Sequence, residues 1–446
     1  MTETAIHIEA KDCLAIPSQP EIGSIMHTLL NIEQTQVFHF SMNHDEELKE
    51  PIVEFDYRNR EWRAGRYVGE VDFIHNGQPC KFSVKPRFGE MFLFRMLEEI
   101  FNIKIIPSLS KDHTKADWQH YIKRIVSFIW IHKLASSNKY GIPRVNHYPE
   151  HRGTTIKGKL NVRKSILPYY TTKEVISVNS EKKEYDIIAR IIWQAHKILV
   201  REFGLGTFKI PDSANDALNH FSQVKDLNKY VSEFEFKSIK LKTIYQNWKE
   251  IVDFSWDIIK SKPFQNEQKA NKNSFAFFID MVEVWELYIS SLLKKRLAPK
   301  GWILRSEILQ AYPEKYFKRK LIPDIIFEKG NDVIVWDAKY KMMKWRNFDF
   351  DRGDFFQIHT YINYYQQNKS VKGGGLLYPI STSMDNQEKT ISSTLFGNEN
   401  TSFNTFFHAD GIDLSFVNNE ESKDFNIEML NKMESEFLKR VEILLQ

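Results

Sequence analysis

The stretch from Leu321 to Lys341 limits the possible folds of this chain more than any other. Apolar and β-branched residues predict one short strand over Ile322 to Phe327 and a second over Val333 to Tyr340. The residues Lys329-Gly330-Asn331 between them predict a tight turn. The stretch therefore predicts a hairpin with charged side chains at the ends of its strands.

Three of these charged side chains are expected to lie together. Side chains alternate between the two faces of a strand, so Asp337 and Lys339 point the same way. Asp324 follows Pro323 at the start of the partner strand, where the hairpin brings it opposite Asp337. Two adjacent carboxylates repel unless a cation lies between them, and oxygen ligands suit Mg²⁺. A bound Mg²⁺ polarises a phosphodiester and acidifies a water molecule, which a nearby lysine orients or deprotonates.

Pro323-Asp324 followed by Asp337-x-Lys339 resembles the motif of the PD-(D/E)xK nucleases. Such short motifs also arise by chance, so the surrounding sequence has to support the assignment. The apolar run Val333 to Trp336 is typical of a buried central strand, and Asp337 ends it. Charges directly after a buried run need compensation, which favours a metal-dependent nuclease.

An acidic residue within a predicted helix provides a further candidate ligand. The segment from Phe275 to Leu293 has helical periodicity, and Glu286 lies within it among apolar residues. Glu286 is predicted to supply a third metal oxygen beside Asp324 and Asp337; the alternative is a solvated helix face.

The elements around this hairpin predict the fold class. A helix, a strand over Trp302 to Leu309, the two hairpin strands, a helix over Asp354 to Gln366 and a strand over Gly373 to Tyr378 follow in order. This order is the αβββαβ core of the restriction-endonuclease-like fold, within an α/β protein. Gln357 and Tyr361 share a helix face. They resemble an extra motif of the RecB-like branch, which contacts DNA or supports the metal site.

Composition narrows the class of protein further. The 446 residues provide ample core for two or three domains, and 62 basic against 58 acidic residues leave a net charge of only +4. DNA binding must therefore depend on local clusters of bases. With Cys13 and Cys80 alone there is no disulfide framework or cysteine-based zinc site. No signal peptide or membrane-spanning run is evident, so a cytoplasmic protein is expected.

Three domains are predicted along the chain. Residues 1–112 form a β-rich N-terminal domain, 113–262 a helical connector, and 270–446 the endonuclease domain. The N-terminal domain contains a hairpin over Tyr67 to Val84 whose strands flank an Asn-Gly turn. The polar stretch from Lys260 to Ser274 is the predicted linker.

A set of segments spread from about residue 64 to 365 carries a family resemblance. The segments are Ala64 to Val71, Phe82 to Arg87, Ile156 to Arg163, Glu184 to Arg190, Phe278 to Glu286, Pro323-Asp324, Asp337 to Lys341 and Phe356-Gln357. Together they resemble the McrC family, the nuclease subunits of McrBC-type systems that restrict DNA with modified cytosine. Arg87 stands where that family usually has a lysine. The resemblance implies an anti-phage function against 5-methylcytosine DNA, and an N-terminal domain that docks onto a hexameric AAA+ GTPase of the McrB kind.

This chain is predicted to bind no nucleotide itself. Gly153 to Leu160 matches the spacing of a phosphate-binding loop, but Leu160 replaces the hydroxyl residue that holds Mg²⁺. Basic residues near the hairpin are expected to bind DNA phosphates, the alternative for each being a solvated charged face. These bases are Lys315, Lys318, Arg319, Lys320, Lys341, Lys344 and Arg346.

The leading hypothesis is a Mg²⁺-dependent DNA endonuclease subunit, with Mn²⁺ as a possible substitute, that acts with an AAA+ GTPase. Glu286, Asp324 and Asp337 would bind the metal, and Lys339 would be the general base or the water-orienting group. Gln357 and Tyr361 would support the site or contact DNA. A free-standing nuclease of another defence or repair pathway, or a non-catalytic adaptor that keeps the fold, are the alternatives.

Overall fold

The computed structural model describes residues 6–36, 38–40, 50–101, 117–207, 210–260, 277–312, 314–317, 319–341, 351–381, 392–395, 405–418 and 426–445. The chain divides into two compact units. One unit joins residues 1–113 to residues 276–446, and the other is formed by residues 114–275. The predicted linker from Lys260 to Ser274 lies, apart from Lys260, outside the described residues.

The N-terminal part of the first unit is a sheet with helices, as its β-rich sequence predicts. The predicted hairpin is confirmed: its turn contains Asn76 at φ 49° and Gly77 at φ 83°, the left-handed region that Asn-Gly turns require. The elements are β1 (Ile6–Lys11), α1 (Ile22–Gln36), β2 (Phe38–Phe40), β3 (Val53–Asp56), β4 (Glu61–Ala64), β5 (Tyr67–His75), β6 (Gln78–Lys85) and α2 (Glu90–Phe101).

The second unit is mainly helical, and one face of its helix Asp186–Glu202 is buried. Besides these helices, it contains two small antiparallel sheets, which were not predicted from the sequence. Its helices are α3 (Asp117–Ser137), α4 (Val162–Thr172), α5 (Asp186–Glu202), α6 (Asp212–Ser222), α7 (Glu233–Lys237) and α8 (Lys249–Lys260). Its strands are β7 (Arg144–His147), β8 (Glu150–Gly153), β9 (Lys159–Leu160), β10 (Val175–Val178) and β11 (Glu181–Glu184).

Where the chain re-enters the first unit, the structure has a strand and the sequence predicted a helix. Strand β12 (Phe277–Asp280) pairs antiparallel with β5 and parallel with β2, which gives the sheet order β1-β6-β5-β12-β2. Helix α9 (Met281–Leu297) follows directly, and the Asp280 side chain caps it by accepting a hydrogen bond from Val282 N at 3.0 Å. The predicted helix therefore starts at Met281 and not near Phe275.

The C-terminal sheet contains the predicted αβββαβ order, and the mixed α/β fold class is confirmed. Its strand order is β13-β16-β17-β18-β20-β19, while β14 and β15 form a separate hairpin. The single strand predicted from Trp302 to Leu309 is two shorter ones. The elements after α9 are β13 (Ile303–Arg305), β14 (Leu309–Ala311), β15 (Arg319–Leu321), β16 (Ile325–Lys329), β17 (Asp332–Ala338), α10 (Arg352–Gln366), β18 (Ser370–Ile380), β19 (Ser392–Thr394), β20 (Phe406–Asp413) and α11 (Ile427–Leu444).

The interior of this sheet is apolar, as the run before Asp337 predicts. Val333, Ile334, Val335 and Trp336 are fully buried on β17. Strand β17 pairs antiparallel with β16 and parallel with β18, and so lies inside the sheet. A central strand buried on both faces places the residue that ends it at a fixed and sheltered point.

The residues before and after the middle unit belong to one compact body. The three domains and their boundaries, as expected from the sequence, stay a prediction. Among the described helices, none is both long enough and apolar enough to cross a membrane.

Candidate active site

The ends of β16 and β17 bring Asp324 and Asp337 side by side. Ile325 pairs with Trp336 in the antiparallel register, so the residues just before and just after this pair lie at the same edge. The Ala338 N–H donates a hydrogen bond to Asp324 Oδ2 at 2.8 Å, which fixes the Asp324 carboxyl against the end of β17. Asp337 is completely buried. The predicted proximity of the two carboxyl groups is thus present in the hairpin.

The electrostatics of this pair show how strongly the two groups interact. Burial and the neighbouring charges of Asp337 and Glu286 hold the pKa of Asp324 well above its usual range. Burial, together with the charges of Asp280, Asp337 and Glu283, raises the pKa of Glu286 to about 8. Without a counter-ion, the carboxyl groups of Asp324 and Glu286 therefore retain protons at a pH where free carboxyl groups have lost them.

Lys339 supplies the positive charge at this edge. Its Nζ lies 2.5 Å from Asp337 Oδ2 and 3.7 Å from Asp354 Oδ1, and it donates a hydrogen bond to Gln357 Oε1 at 3.0 Å. Burial lowers the Lys339 pKa, but the carboxylates of Asp337, Asp324 and Asp354 outweigh it, so the pKa lies above its ordinary value. Lys339 is therefore an ammonium at neutral pH, with three acceptors around it.

Helix α10 supports the lysine through a short series of hydrogen bonds. Gln357 accepts from Lys339 and donates from Nε2 to Tyr361 Oη at 2.9 Å. Tyr361 in turn donates to the Ile322 carbonyl at 3.1 Å, on the segment that leads to Asp324. The predicted pair of Gln357 and Tyr361 thus connects the lysine that follows β17 to the chain that enters β16.

One residue at this edge was missed from the sequence. Asp354 is buried near the N-terminus of α10 and accepts two hydrogen bonds from Lys341 Nζ, at 2.9 and 3.1 Å. Its position three residues before Gln357 places both on one helix face, a spacing that could have identified it. Asp354 interacts with both lysines of the Asp337-x-Lys339-x-Lys341 segment.

The donor set fits a hard cation. Asp337 Oδ1 is buried and has no hydrogen-bond partner among the described residues, and a cation would satisfy such an oxygen. Across the described part of the chain, no group of three or more His, Cys, Asp or Glu side chains is arranged to hold a metal. Asp324 and Asp337 are therefore the close pair, and the role of Glu286 as a third ligand stays a prediction.

The predicted phosphate-binding residues lie in two places. Arg319 and Lys320 are exposed on β15, and Lys315 is exposed in the preceding loop. Lys341 is exposed beside Asp354. The other predicted bases, Lys318, Lys344 and Arg346, lie outside the described residues.

Comparisons with known proteins identify the family to which the chain belongs. A solved half-complex of Thermococcus gammatolerans McrB AAA+ hexamers with bound McrC includes a chain that is 16% identical and has a TM-score of 0.49, with 99% of this chain and 100% of that chain covered. A chain of the Thermococcus gammatolerans McrBC complex is 15% identical at a TM-score of 0.35, with 66% of this chain and 88% of that chain covered. A search of curated proteins finds no match.

The family model described as McrBC 5-methylcytosine restriction system component matches residues 62–379, which is more than half of the chain and includes every predicted site residue. The chain therefore belongs to this McrBC family and is a component of a McrBC-type restriction system.

Proposed function

We propose that this chain is the Mg²⁺-dependent endonuclease subunit of its restriction system and hydrolyses DNA phosphodiesters together with an AAA+ GTPase partner. The observation that carries the proposal is the group formed by Asp324, Asp337 and Lys339 at the ends of two paired strands. Two carboxyl groups and an ammonium at a sheltered edge of the sheet are functional groups suited to metal-assisted hydrolysis of a phosphodiester.

Asp324 and Asp337 would hold the cation, with Glu286 close enough for its charge to contribute. A bound Mg²⁺, or Mn²⁺ in its place, polarises the phosphodiester and lowers the pKa of a water molecule. The Asp324 carboxyl has one oxygen engaged by Ala338 N–H, which leaves the other for a ligand. Asp337 has an oxygen without any hydrogen-bond donor from the described residues.

Lys339 is better suited to orient water and stabilise negative charge than to act as a general base. Its pKa lies above the ordinary value, so it keeps its proton at neutral pH. The hydrogen bond to Gln357 fixes the direction in which the ammonium points. A fixed ammonium beside the attacked phosphate stabilises charge as it develops in the transition state.

Family membership supports a nucleotide-dependent partner. The family is described as a component of a 5-methylcytosine restriction system, and a component implies further subunits. The sequence resemblance to McrC implies an AAA+ GTPase of the McrB kind, and the absence of a complete phosphate-binding loop near Gly153 agrees with a separate source of energy. Incoming modified DNA as substrate would place the reaction in the cytoplasm.

The test is cleavage of a plasmid with and without 5-methylcytosine, in the presence of Mg²⁺, by the chain alone and with a candidate AAA+ GTPase and GTP. Wild type is compared with Asp337→Asn, which keeps the shape of the side chain but removes its charge. Asp332→Asn is the matched control because Asp332 starts the same strand, at the opposite end from the site.

Cleavage that needs the partner and GTP, that is lost by about 100-fold or more in Asp337→Asn and that is retained in Asp332→Asn, is the expected result. Cleavage by the chain alone would support the free-standing nuclease instead. Equal cleavage by Asp337→Asn and wild type would contradict the site assignment, and no cleavage under any condition would favour the non-catalytic adaptor.

A further inference from the structure

A small hairpin next to the site carries aromatic rings that are exposed to solvent. Strands β14 and β15 pair from Leu309 opposite Leu321 to Ala311 opposite Arg319, outside the main sheet. In the loop between them, Tyr316 is 97% exposed, Tyr312 61% and Phe317 52%.

The exposed rings form one cluster. The Tyr312 and Phe317 ring centroids are 5.2 Å apart, and those of Tyr316 and Phe317 are 5.0 Å apart, both with edge-to-face geometry. Tyr312 has a φ of 55°, and its carbonyl accepts a hydrogen bond from Lys315 N at 3.1 Å, so the loop turns sharply at the first ring. An apolar group that is held together but left in solvent marks a surface for interaction.

The base of the hairpin is anchored beside the candidate active site. Leu309 belongs to the buried cluster that also contains Tyr361 and Ile326, and Leu321 packs against the same cluster. Only Ile322 and Pro323 separate Leu321 from Asp324 along the chain. The exposed loop therefore extends from a base that is fixed close to the carboxylate pair.

The charge around the rings favours DNA over a protein or a lipid surface. Lys315, Arg319 and Lys320 are exposed on the loop and on β15, while Glu314 is the one acid among the described loop residues. Basic residues interleaved with aromatic rings match the two parts of a nucleic acid, because lysine and arginine bind the phosphates and aromatic rings stack on the nucleobases.

We propose that the described residues of this hairpin, 309–312, 314–317 and 319–321, form a DNA-contact hairpin that binds the substrate next to the cleaved phosphodiester. Tyr316 and Phe317 stack against DNA bases, and Lys315, Arg319 and Lys320 contact phosphates. This inference rests on the proposed nuclease function and adds where the substrate is held. The hairpin fixes the register of the DNA relative to Asp324.

The first test measures binding, so that it does not depend on cleavage. Anisotropy of fluorescein-labelled DNA, single-stranded and duplex, is titrated with the full chain in EDTA, alone and with the AAA+ partner. The variant Tyr316→Ala/Phe317→Ala is compared with Tyr57→Ala, which removes an 85% exposed ring from the loop between β3 and β4. Thermal unfolding is followed for each variant.

The expected result is an affinity loss of about 10-fold or more in Tyr316→Ala/Phe317→Ala, with unchanged unfolding and no loss in Tyr57→Ala. Tyr316→Trp should retain binding, since it retains a ring that stacks. Lys315→Ala and Lys320→Ala should each weaken binding and lower the slope of log affinity against log salt by about 1. A larger loss on single-stranded or on duplex DNA identifies which form the rings contact.

Unchanged DNA affinity in Tyr316→Ala/Phe317→Ala would overturn the proposal. So would a wild-type chain that binds neither single-stranded nor duplex DNA, whether the partner is present or not. Loss of partner binding with normal DNA affinity would also overturn it and would assign the rings to a protein contact. The proposed function is tested separately, because Asp337→Asn should still bind DNA through the hairpin while it fails to cut.

Discussion

Arg87 donates a hydrogen bond from its guanidinium to the backbone carbonyl of Tyr340 at 3.0 Å. The guanidinium lies 4.2 Å from the centroid of the Tyr340 ring, and the Arg87 N–H donates to Asp12 Oδ1 at 2.5 Å. Tyr340 follows Lys339 directly in the chain. A buried arginine that follows β6 therefore connects the N-terminal part of the first unit to the residue after Lys339.

Replacing Arg87 with methionine should destabilise the protein and weaken cleavage. The change leaves the Asp12 carboxyl buried without its cation, which costs about 3–5 kcal/mol of unfolding free energy. Urea unfolding measures this loss. Arg87→Lys should cost less, about 1–3 kcal/mol, because it keeps a charge but loses the forked donor.

The double variant Arg87→Met/Asp12→Asn provides the control for this pair. If the two residues interact as described, the double variant should be clearly more stable than the sum of the two single losses predicts. Strictly additive losses would show that Arg87 acts independently of Asp12.

The hydrogen bonds of Gln357 should matter more for cleavage rate than for stability. Gln357→Leu removes the side-chain acceptor from Lys339, so the ammonium loses its fixed direction, and we expect a fall of about 10- to 100-fold in single-turnover cleavage. Tyr361→Phe removes the acceptor of Gln357 Nε2 and the donor to the Ile322 carbonyl but leaves the bond between Gln357 and Lys339, so it should have a smaller effect.

Asn363→Leu is a suitable control, because Asn363 is exposed on the same helix. Equal rates for Gln357→Leu and Asn363→Leu would contradict a positioning role for Gln357.

A buried histidine should contribute to the loss of stability in acid. The Trp336 Nε1–H donates to His408 Nε2 at 2.9 Å, so a proton on Nε2 would face another donor. Burial, with a smaller contribution from Arg440, lowers the pKa of His408 to about 4. In the unfolded chain, the imidazole has its ordinary pKa near 6.5 and binds a proton that the folded chain excludes.

The unfolded state therefore binds more protons between pH 4 and 6.5, and the free energy of unfolding rises with pH across this window, by roughly 3 kcal/mol in total. His408→Gln should lack this contribution. Urea unfolding of both proteins between pH 4 and 7.5 isolates the difference from all other titrating groups. Parallel profiles for the two proteins would rule out the assignment.

Strand β18 should tolerate alanine at one glycine and not at another. A Cβ at Gly375 would lie 1.8 Å from the His408 carbonyl oxygen on β20, so the strands would have to separate. A Cβ at Gly373 would meet its nearest atom, the Phe406 carbonyl oxygen, at 3.5 Å, an ordinary contact. Gly375→Ala should cost at least about 3 kcal/mol and Gly373→Ala less than about 1 kcal/mol. Similar losses in thermal or urea unfolding would contradict this packing.

Local sequence patterns predicted the hairpin around Asn76-Gly77 and the succession of helices and strands in the C-terminal region, because turn residues and apolar runs are features of adjacent residues. They did not predict β12, whose partner β5 lies about two hundred residues earlier in the chain. Four apolar residues before a helix are consistent with either state. The helix cap at Asp280 was the available signal for where the helix begins.

Long-range contacts within the site also could not be predicted from the sequence. The spacing of Asp324, Asp337 and Lys339 predicted that the hairpin would bring them together, since alternation and pairing are regular. The engagement of Asp354 by Lys339 and Lys341 depends on how α10 packs against the sheet, which periodicity does not encode. The choice of partner between distant elements is set by packing of the whole unit.

The insertion of β12 between β5 and β2 has a consequence for synthesis on the ribosome. The first six strands are complete when residue 85 has been made, but the strand that joins β5 to β2 follows almost two hundred residues later. At common translation rates of about 5–20 residues per second, the nascent chain carries an open strand edge for roughly 10–40 s. During that time, the edge of β5 is available to chaperones and to other nascent chains, and the helix that bears Glu286 emerges only when that exposure ends.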